Sequence, residues 1–257
     1  MSIHPTAVVA SGAEIAADVE IGPYTIIGPQ VRIDAGTVVG PHVVIEGLTT
    51  IGRNNRIFQY AAIGAIPQDL KYKGEPSRLE IGDGNRIREF ATLHPGTTGG
   101  GMVTSIGNGN LLMNYCHIAH DCRLQDSNIV ANGVQLGGHV TVESFAVLGA
   151  LSAIHQFARI GESAIVGAGS MVSLDVPPFC NATGDRARLH GLNTLGLQRR
   201  GFPADVVSAL KRAYRVMFQS GLKAREAIAR LRAERPLIAE VERFVAFIEA
   251  SGRGVCR

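Results

Sequence analysis

Histidines are concentrated in one part of this 257-residue chain. Four of the eight, His117, His120, His139 and His155, fall in a single stretch, and Asp121 directly follows His120. A histidine beside a carboxylate is a typical general base, because the carboxylate orients the imidazole that takes the proton. The stretch therefore predicts acid–base chemistry, provided that the fold brings these side chains together outside a hydrophobic core.

A strict six-residue repeat covers most of the chain. Ile, Val or Leu recurs at every sixth position over 3–63, 81–93 and 106–172, which makes 26 hexads. Helices repeat near 3.6 residues and ordinary strands repeat at two, so neither explains a period of six. The repeat predicts a parallel β-solenoid with one short strand and one turn per hexad. The first and fifth residues of each hexad point inward, and the fifth is small.

The repeat resembles the left-handed parallel β-helix of the hexapeptide-repeat acyltransferases, in which three hexads close one triangular coil. The left hand is taken from that resemblance, which also implies a homotrimer. None of the four histidines occupies an inward hexad position. His120, Gly138 and Gln156 are one coil apart and are expected to stack, with neighbouring strands about 4.8 Å apart. A histidine and a glycine N–H on the same face of the solenoid predict a general base with an oxyanion site.

The cysteines do not favour thiol or metal chemistry. Cys116 and Cys122 flank the histidine cluster but occupy the inward fifth position, and the four cysteines include no CxxC pair. We interpret both as small core residues. His117 and His120 could form half of a metal site, as in the gamma-class carbonic anhydrases, but a lone histidine pair is a weak metal signal. We therefore predict no metal.

Interruptions of the repeat suggest the domain organisation. Residues 65–80 and 99–105 break it and are predicted to be loops ejected from the solenoid, where binding residues often lie. After position 172 the repeat ends, so we predict a β-helix over 1–185 and a helical domain over 186–257. The first of three helices should begin with Pro203 and stop at Gly221. The second helix should cover 222–234, and the third should begin after Pro236.

Charge is unevenly distributed between these two parts. Residues 1–185 carry 10 Lys or Arg against 16 Asp or Glu, whereas residues 186–257 carry 15 against 6. A basic tail suggests an acidic partner. Aromatic residues are only 5%, so nucleic acid is disfavoured. With no apolar run of membrane-spanning length and no signal peptide, we expect a cytoplasmic protein without an integral membrane segment.

A more specific resemblance comes from short segments. Residues 114–122, Asn-Tyr-Cys-His-Ile-Ala-His-Asp-Cys, resemble the active-site segment of the UDP-N-acetylglucosamine O-acyltransferases, which open lipid A synthesis. Further matching segments lie at 68–72, 74–76, 138–140, 155–157, 175–178 and 199–202. The resemblance runs from about residue 3 to 252, and the ordered set of segments is far more specific than the hexads.

The family resemblance implies a role for each matching residue. His120 would take the proton from the sugar 3-hydroxyl, Asp121 would orient it, and the Gly138 N–H would stabilise the oxyanion. Asn193 and Arg199 would hold the nucleotide, Arg199 through a phosphate. The donor would be an R-3-hydroxyacyl chain on acyl carrier protein, transferred directly in a ternary complex without a cofactor. Further contacts to the sugar nucleotide or the acyl chain would come from Gln68, Asp69, Lys71, His117, His139, His155 and Gln156.

Two further groups of residues follow from the resemblance. Ala168 matches the position that limits acyl-chain length in the family, with Met171 close by, and a small residue there favours a longer chain. The basic tail would dock the acidic carrier protein. Its docking residues would be Arg200, Lys211, Arg212 and Arg215.

One departure from the family leaves the acceptor open. Many members carry an acidic residue where this chain has Leu195. The acceptor could therefore be a 3-amino analogue of the sugar, which would give an amide. The same scaffold would also suit an acetyltransferase that uses acetyl-CoA, or a protein that only binds partners and has no catalysis. The related N-acyltransferase that acts two steps later carries an extra N-terminal domain, for which hexads beginning at Ile3 leave no room.

Overall fold

Each aliphatic residue of the repeat ends a short β-strand. The computed structural model describes residues 2–234 and 237–257, and within them 26 strands lie between Ser2 and Val172. Each strand from Ser2–Ile3 to Ala153–Ile154 pairs in parallel with the strand three further along the chain, so three sheets form a triangular solenoid. The predicted fold class, a parallel β-helix of hexapeptide repeats followed by a small helical region, is confirmed.

The three sheets run the length of the solenoid. The first contains Ser2–Ile3, Glu20–Ile21, Val38–Val39, Arg56–Ile57, Arg86–Ile87, Leu111–Leu112, Ile129–Val130, Val147–Leu148, Ile165–Val166, Cys180–Thr183 and Arg188–Leu192. The second contains Val8–Val9, Ile26–Ile27, Val44–Ile45, Ala62–Ile63, Thr92–Leu93, His117–Ile118, Gln135–Leu136, Ala153–Ile154 and Met171–Val172. The third contains Glu14–Ile15, Arg32–Ile33, Leu48–Ile51, Arg78–Ile81, Val103–Ile106, Arg123–Leu124, Thr141–Val142 and Arg159–Ile160.

The interior of the prism is filled as the repeat predicts. The hexad aliphatics are fully buried along most of its length, for example Ile63, Leu93 and Leu136. Small residues fill the fifth positions, among them Cys116 and Cys122, which are both fully buried. Burial raises the pKa of each of these two thiols to about 12, so neither is a thiolate nucleophile near neutral pH.

The corners of the prism use left-handed backbone. Asp121, His139 and Phe157 stack at the corner between the second and third sheets, with φ of 61°, 62° and 65°. We call this the base corner. Ser163 and Phe179 belong to the corner between the third and first sheets, which we call the tail corner. Because coils repeat, each corner brings residues one coil apart into contact.

The loops differ in extent from the sequence prediction. The strands Arg78–Ile81 and Val103–Ile106 begin inside the predicted loops 65–80 and 99–105 and pair with each other. The loops are therefore residues 64–77 and 94–102. The hexad aliphatic marks only the last residue of a strand. The repeat therefore does not show that these two strands begin two residues earlier than the others.

Among the described residues, four helices follow the solenoid: α1 (Thr194–Arg199), α2 (Ala204–Phe218), α3 (Ala224–Ala233) and α4 (Ala239–Glu249). The three predicted helices correspond to α2, α3 and α4, and Pro203 is the residue before α2, not its first residue. Pro236, predicted to precede the last helix, lies outside the described residues.

Two elements of the tail were not predicted: helix α1 and an antiparallel pair formed by Cys180–Thr183 and Arg188–Leu192. The second strand of that pair falls within the region predicted to be helical. Within the described ranges, no helix combines the length and the apolar character that crossing a membrane requires.

Candidate active site

His120 and Asp121 form a directly bonded pair at the base corner. Nδ1 of His120 lies 2.8 Å from Oδ2 of Asp121, whose side chain is fully buried, while 16% of the histidine side chain is exposed. A carboxylate only accepts hydrogen bonds, so Nδ1 carries the proton. Nε2 is then the basic nitrogen, on a ring that solvent can reach. The two residues predicted to be the general base and its orienting acid are therefore in direct contact.

The Asp121 carboxylate is held by a residue that the sequence analysis missed. Thr97 donates its N–H to Oδ1 at 2.9 Å and its hydroxyl to Oδ2 at 2.6 Å. Asp121 donates its own N–H to the Thr104 hydroxyl at 2.7 Å. Thr97 lies in the 94–102 loop, outside the repeat, so no periodicity connects it with Asp121. Charge-assisted bonds of this kind fix the carboxylate and so the imidazole.

Gly138 lies against the His120 ring from the next coil, as predicted. A Cβ atom at Gly138 would fall 2.6 Å from both Cε1 and Nε2 of His120, so only glycine allows this approach. Within residues 2–234 and 237–257, no protein atom accepts a hydrogen bond from the Gly138 N–H. A free amide beside a base is suited to bind an oxyanion.

His139 adjoins the pair from the coil of Gly138. Its ring meets His120 edge to face at a centroid distance of 5.1 Å and stacks on Phe157 at 4.3 Å. Burial lowers the pKa of His139, while the charges of Asp121 and Asp69 oppose that shift. Asp69 belongs to the 64–77 loop, so that loop contributes to the electrostatics of this part of the site.

His117 belongs to the second-sheet strand His117–Ile118, which directly precedes the His120–Asp121 pair. Its Nδ1 lies 2.8 Å from the Thr92 hydroxyl, and its ring is 5.1 Å from that of His94. Burial, with smaller contributions from His94 and His120, lowers the pKa of His117 to about 4. His117 is therefore neutral near pH 7 and offers a hydrogen bond, not a charge.

The metal interpretation involves a different set of residues from the one the sequence suggested. Among the described residues, His120, Asp121 and His139 bring ligand atoms within 4.8 Å of one another, and His117 is not part of the group. The two Asp121 oxygens already accept bonds from Thr97 and His120. A metal there would compete with these bonds, so the arrangement favours a hydrogen-bonded dyad.

Two predicted contact residues lie one coil beyond Gly138. His155 and Gln156 are both exposed, and Nδ1 of His155 is 3.0 Å from the Gln156 carbonyl oxygen. Arg253, from the segment after α4, donates to that carbonyl and approaches Nδ1 of His155 at 3.2 Å. The end of the chain therefore packs on this side of the site.

The 64–77 loop carries three predicted contact residues. Gln68 and Lys71 are exposed, and the Lys71 N–H donates to Oδ1 of Asp69 at 2.9 Å. The Lys71 side chain forms no ion pair within the described part of the chain. It is free to meet a ligand.

Asn193 and Arg199 lie at another corner of the same chain. The Asn193 side chain caps α1 by accepting from the Gly196 N–H at 2.9 Å, and it donates to the Ser163 carbonyl at 2.9 Å. Ser163 belongs to the tail corner, and Arg199 is the exposed last residue of α1. One chain therefore does not bring these two residues to the base corner. Leu195 is exposed on the same helix.

The predicted docking cations differ in their surroundings. Arg200 bonds Glu162 at 3.0 Å and lies over the Phe145 ring at 3.6 Å, so its charge is already engaged. Arg212 is 3.9 Å from Glu234. Lys211 and Arg215 are exposed on α2, and neither forms an ion pair with another residue of 2–234 or 237–257.

The predicted ruler residue Met171 lies three coils from His117 but only one coil from His155. Met171 belongs to the second sheet, where it follows His117, Gln135 and Ala153 in successive paired strands. Three strand spacings place Met171 about 14 Å from His117. Ala168 is exposed in the turn before the Met171 strand.

The site and fold agree with the similarity to known proteins. A model described as "Udp N-acetylglucosamine O-acyltransferase; Domain 2" matches residues 175–256, and "Bacterial transferase hexapeptide (six repeats)" matches residues 12–47. The acyl-[acyl-carrier-protein]–UDP-N-acetylglucosamine O-acyltransferase of Thiobacillus denitrificans is 50% identical, covering 100% of this chain and 99% of the relative. The protein of that name from Myxococcus xanthus is 52% identical, with 99% of each chain covered.

Solved structures give the same assignment. LpxA from Acinetobacter baumannii superposes with a TM-score of 0.97 at 45% identity and covers 99% of each chain. Identity at this level over the full length accompanies a shared fold and a shared arrangement of motifs. The chain belongs to the acyl-[acyl-carrier-protein]–UDP-N-acetylglucosamine O-acyltransferase family.

Proposed function

We propose that this protein transfers an R-3-hydroxyacyl chain from acyl carrier protein to the 3-hydroxyl of UDP-N-acetylglucosamine, the first step of lipid A biosynthesis. The observation that carries this proposal is the His120–Asp121 pair with Gly138 against the imidazole. Relatives named for this reaction are about 50% identical over the full chain. The acyl carrier protein thioester is the donor, and no cofactor takes part.

The reaction uses the free nitrogen of His120. Nε2 takes the proton of the sugar hydroxyl while the hydroxyl oxygen attacks the thioester carbonyl carbon. The carbonyl oxygen becomes an oxyanion, which the Gly138 N–H binds. When the intermediate collapses, the C–S bond breaks and the imidazolium returns its proton to the departing sulfur. Asp121 stabilises the imidazolium and holds its orientation.

A homotrimer accounts for the separation of the predicted residues. His120 lies at the base corner and Arg199 at the end of α1 beside the tail corner, so a nucleotide held by both must lie between two copies of the chain. A cyclic assembly of prisms with parallel axes repeats such a contact three times. In this arrangement Asn193 and Arg199 of one copy hold the nucleotide, and His120 of its neighbour acts on the sugar.

The acyl chain lies along the outer face of the second sheet. It runs from the base corner past Gln135 and Ala153 towards Met171, with Ala168 near the end of its path. The exposed cations Lys211 and Arg215, together with Arg212, attract the acidic carrier protein, and this attraction weakens with salt. Arg200 contributes less, because Glu162 already pairs with it. The reaction takes place in the cytoplasm, where carrier-protein thioesters are made.

A transfer assay tests the reaction. Purified protein is mixed with UDP-N-acetylglucosamine and a panel of 3-hydroxyacyl carrier proteins, and the products are identified by mass spectrometry. We expect one monoacylated sugar nucleotide, formed only from carrier-linked chains of a narrow length range. Product from the 3-amino sugar alone, or from acetyl-CoA alone, contradicts the assigned acceptor or donor. No product from any pair favours the binding scaffold.

Mixing two inactive variants tests the shared site. His120→Ala and Arg199→Ala chains, each carrying a different tag, are co-expressed and the mixed assemblies are purified. If the two residues act across an interface, some sites contain both native residues and part of the activity returns. Activity no higher than that of either variant alone contradicts a site between copies. Sedimentation of the native protein reports whether the assembly is a trimer.

A further inference from the structure

His94 is a buried histidine outside the prism, and it takes no part in the proton transfers of the proposed reaction. It follows the strand Thr92–Leu93 and begins the 94–102 loop. Only 5% of the residue is exposed. It occupies an outward position of the repeat, and the 64–77 loop on one side and the His117 ring on another lie against it.

The hydrogen bonds of His94 determine its tautomer. Nδ1 lies 3.0 Å from the carbonyl oxygen of Ala65 and 3.0 Å from that of Ile66. Carbonyl oxygens only accept, so Nδ1 must carry a proton and donate to both. Nε2 is buried without a partner in the described residues.

The two carbonyls belong to the loop that carries the predicted sugar-nucleotide contacts. Gln68 and Asp69 follow Ile66 within three residues, and Lys71 comes two residues later. The loop contains no helix or strand. The 64–77 loop is also hydrogen-bonded to the 94–102 loop where the Thr98 N–H donates to Oε1 of Glu75 at 3.2 Å, and that bond is exposed. His94 is therefore the buried anchor at the beginning of the loop.

We propose that His94 is a positioning residue that holds the 64–77 loop over the active site, so that Asp69 and Lys71 meet the sugar nucleotide in a fixed geometry. This role rests on the proposed function of those two residues. The 94–102 loop then serves both parts of the site, since Thr97 holds Asp121 and His94 holds the loop that binds the acceptor. Losing the anchor weakens acceptor binding more than it slows the chemical step.

Two substitutions separate the hydrogen bond from the bulk of the ring. His94→Leu fills similar volume without a donor, and His94→Asn keeps an N–H near the position of Nδ1. We expect His94→Leu to raise the KM for UDP-N-acetylglucosamine about tenfold, with kcat changed by less than about threefold. The KM for the acyl carrier protein donor should stay unchanged. His94→Asn should restore most of the acceptor affinity, and His4→Leu, at an exposed histidine, is the control.

Limited proteolysis gives a readout that does not depend on activity. Lys71 and Lys73 are exposed on the loop, so trypsin cleavage after them reports how well the loop is held. His94→Leu should be cut there several-fold faster than the native protein and His94→Asn, with cleavage at Arg225 and Arg230 in α3 unchanged. Native-rate cleavage and a native KM in His94→Leu overturn the proposal. Equal defects in both variants overturn it too, because the N–H that asparagine retains would then make no difference to the loop.

Discussion

Nδ1 of His120 lies 2.8 Å from Oδ2 of Asp121, and that same oxygen accepts the Thr97 hydroxyl at 2.6 Å. His120, the proposed general base, is thus linked through a buried carboxylate to a loop outside the repeat. A rigid solenoid supplies His120 and Gly138, and the 94–102 loop completes the orientation of the imidazole.

Replacing the base should abolish most of the transfer. We expect His120→Ala to lower kcat by about 10²–10⁴-fold, which is the usual contribution of general-base catalysis. Asp121→Asn should lower kcat by about 10²-fold, because an amide can donate to Nδ1 and stabilise the wrong tautomer. Steady-state transfer rates measure both effects. His4→Ala is the control, and an active His120→Ala protein would remove this histidine from the mechanism.

A methyl group at Gly138 should displace the base without unfolding the chain. The added Cβ would lie 2.6 Å from His120 Nε2, so the ring must move by a substantial fraction of an ångström. Misplacement on this scale costs about 10²-fold in kcat. Gly252→Ala, where the added Cβ meets nothing within 4 Å, should keep native activity. A Gly138→Ala enzyme with native kcat would show that the ring and the amide need not be this close.

Removing the Thr97 hydroxyl should slow the reaction without affecting substrate binding. Thr97→Val keeps the shape of the side chain but removes one charge-assisted bond to Asp121, and we expect kcat to fall about tenfold with KM unchanged. The neighbouring residue offers a matched control, because the Thr98 hydroxyl contacts Glu75 at 3.4 Å instead. Thr98→Val should therefore retain native kcat. Equal losses in the two variants would point to a general disturbance of the loop.

His117 should make stability depend on pH. Burial lowers its pKa to about 4, whereas a histidine in the unfolded chain titrates near about 6.5. Between these values the unfolded chain binds a proton that the folded chain does not, so the free energy of unfolding falls as the pH drops through this window. Because the ring is only partly buried, we expect His117 to contribute a loss of about 1 kcal/mol between pH 7 and pH 5.

Urea unfolding at pH 7 and pH 5 measures this contribution. His117→Gln removes the titrating group and can keep the bond to Thr92, so its free energy of unfolding should depend less on pH. His4→Gln, at an exposed histidine, should behave as the native protein does. If His117→Gln loses as much stability as the native protein between the two pH values, the dependence arises at other groups.

The repeat alone predicts most of the scaffold and the centre of the site. A six-residue period specifies one strand per hexad, which residues face inward and which residues stack one coil apart. The position of a residue within its hexad therefore predicts that Cys116 and Cys122 are buried and that His120 has an exposed side. The spacing of 18 residues predicts that Gly138 approaches His120. The family resemblance, not the repeat, implied that Asp121 orients His120, and the two side chains are bonded in the folded chain.

Segments outside the repeat are where sequence reasoning fell short. Nothing in the spacing indicates that Thr97 bonds Asp121 or that His94 bonds Ala65 and Ile66. Ejected loops have no period, and their paths depend on which outer surface they cover. The pair Cys180–Thr183 and Arg188–Leu192 was missed for a related reason, because its pairing follows from docking on the last coil and not from its own pattern.

Arg199 illustrates the same difference at the scale of the whole molecule. Sequence resemblance groups it with His120 as one site, whereas the folded chain puts them at different corners of the prism. Local periodicity determines contacts between residues a fixed number of positions apart, and it therefore sets the strands, the core and the stacking of His120 on Gly138. Contacts between the prism, its loops and its helical tail depend on packing between distant segments, so they emerge only when the chain has folded.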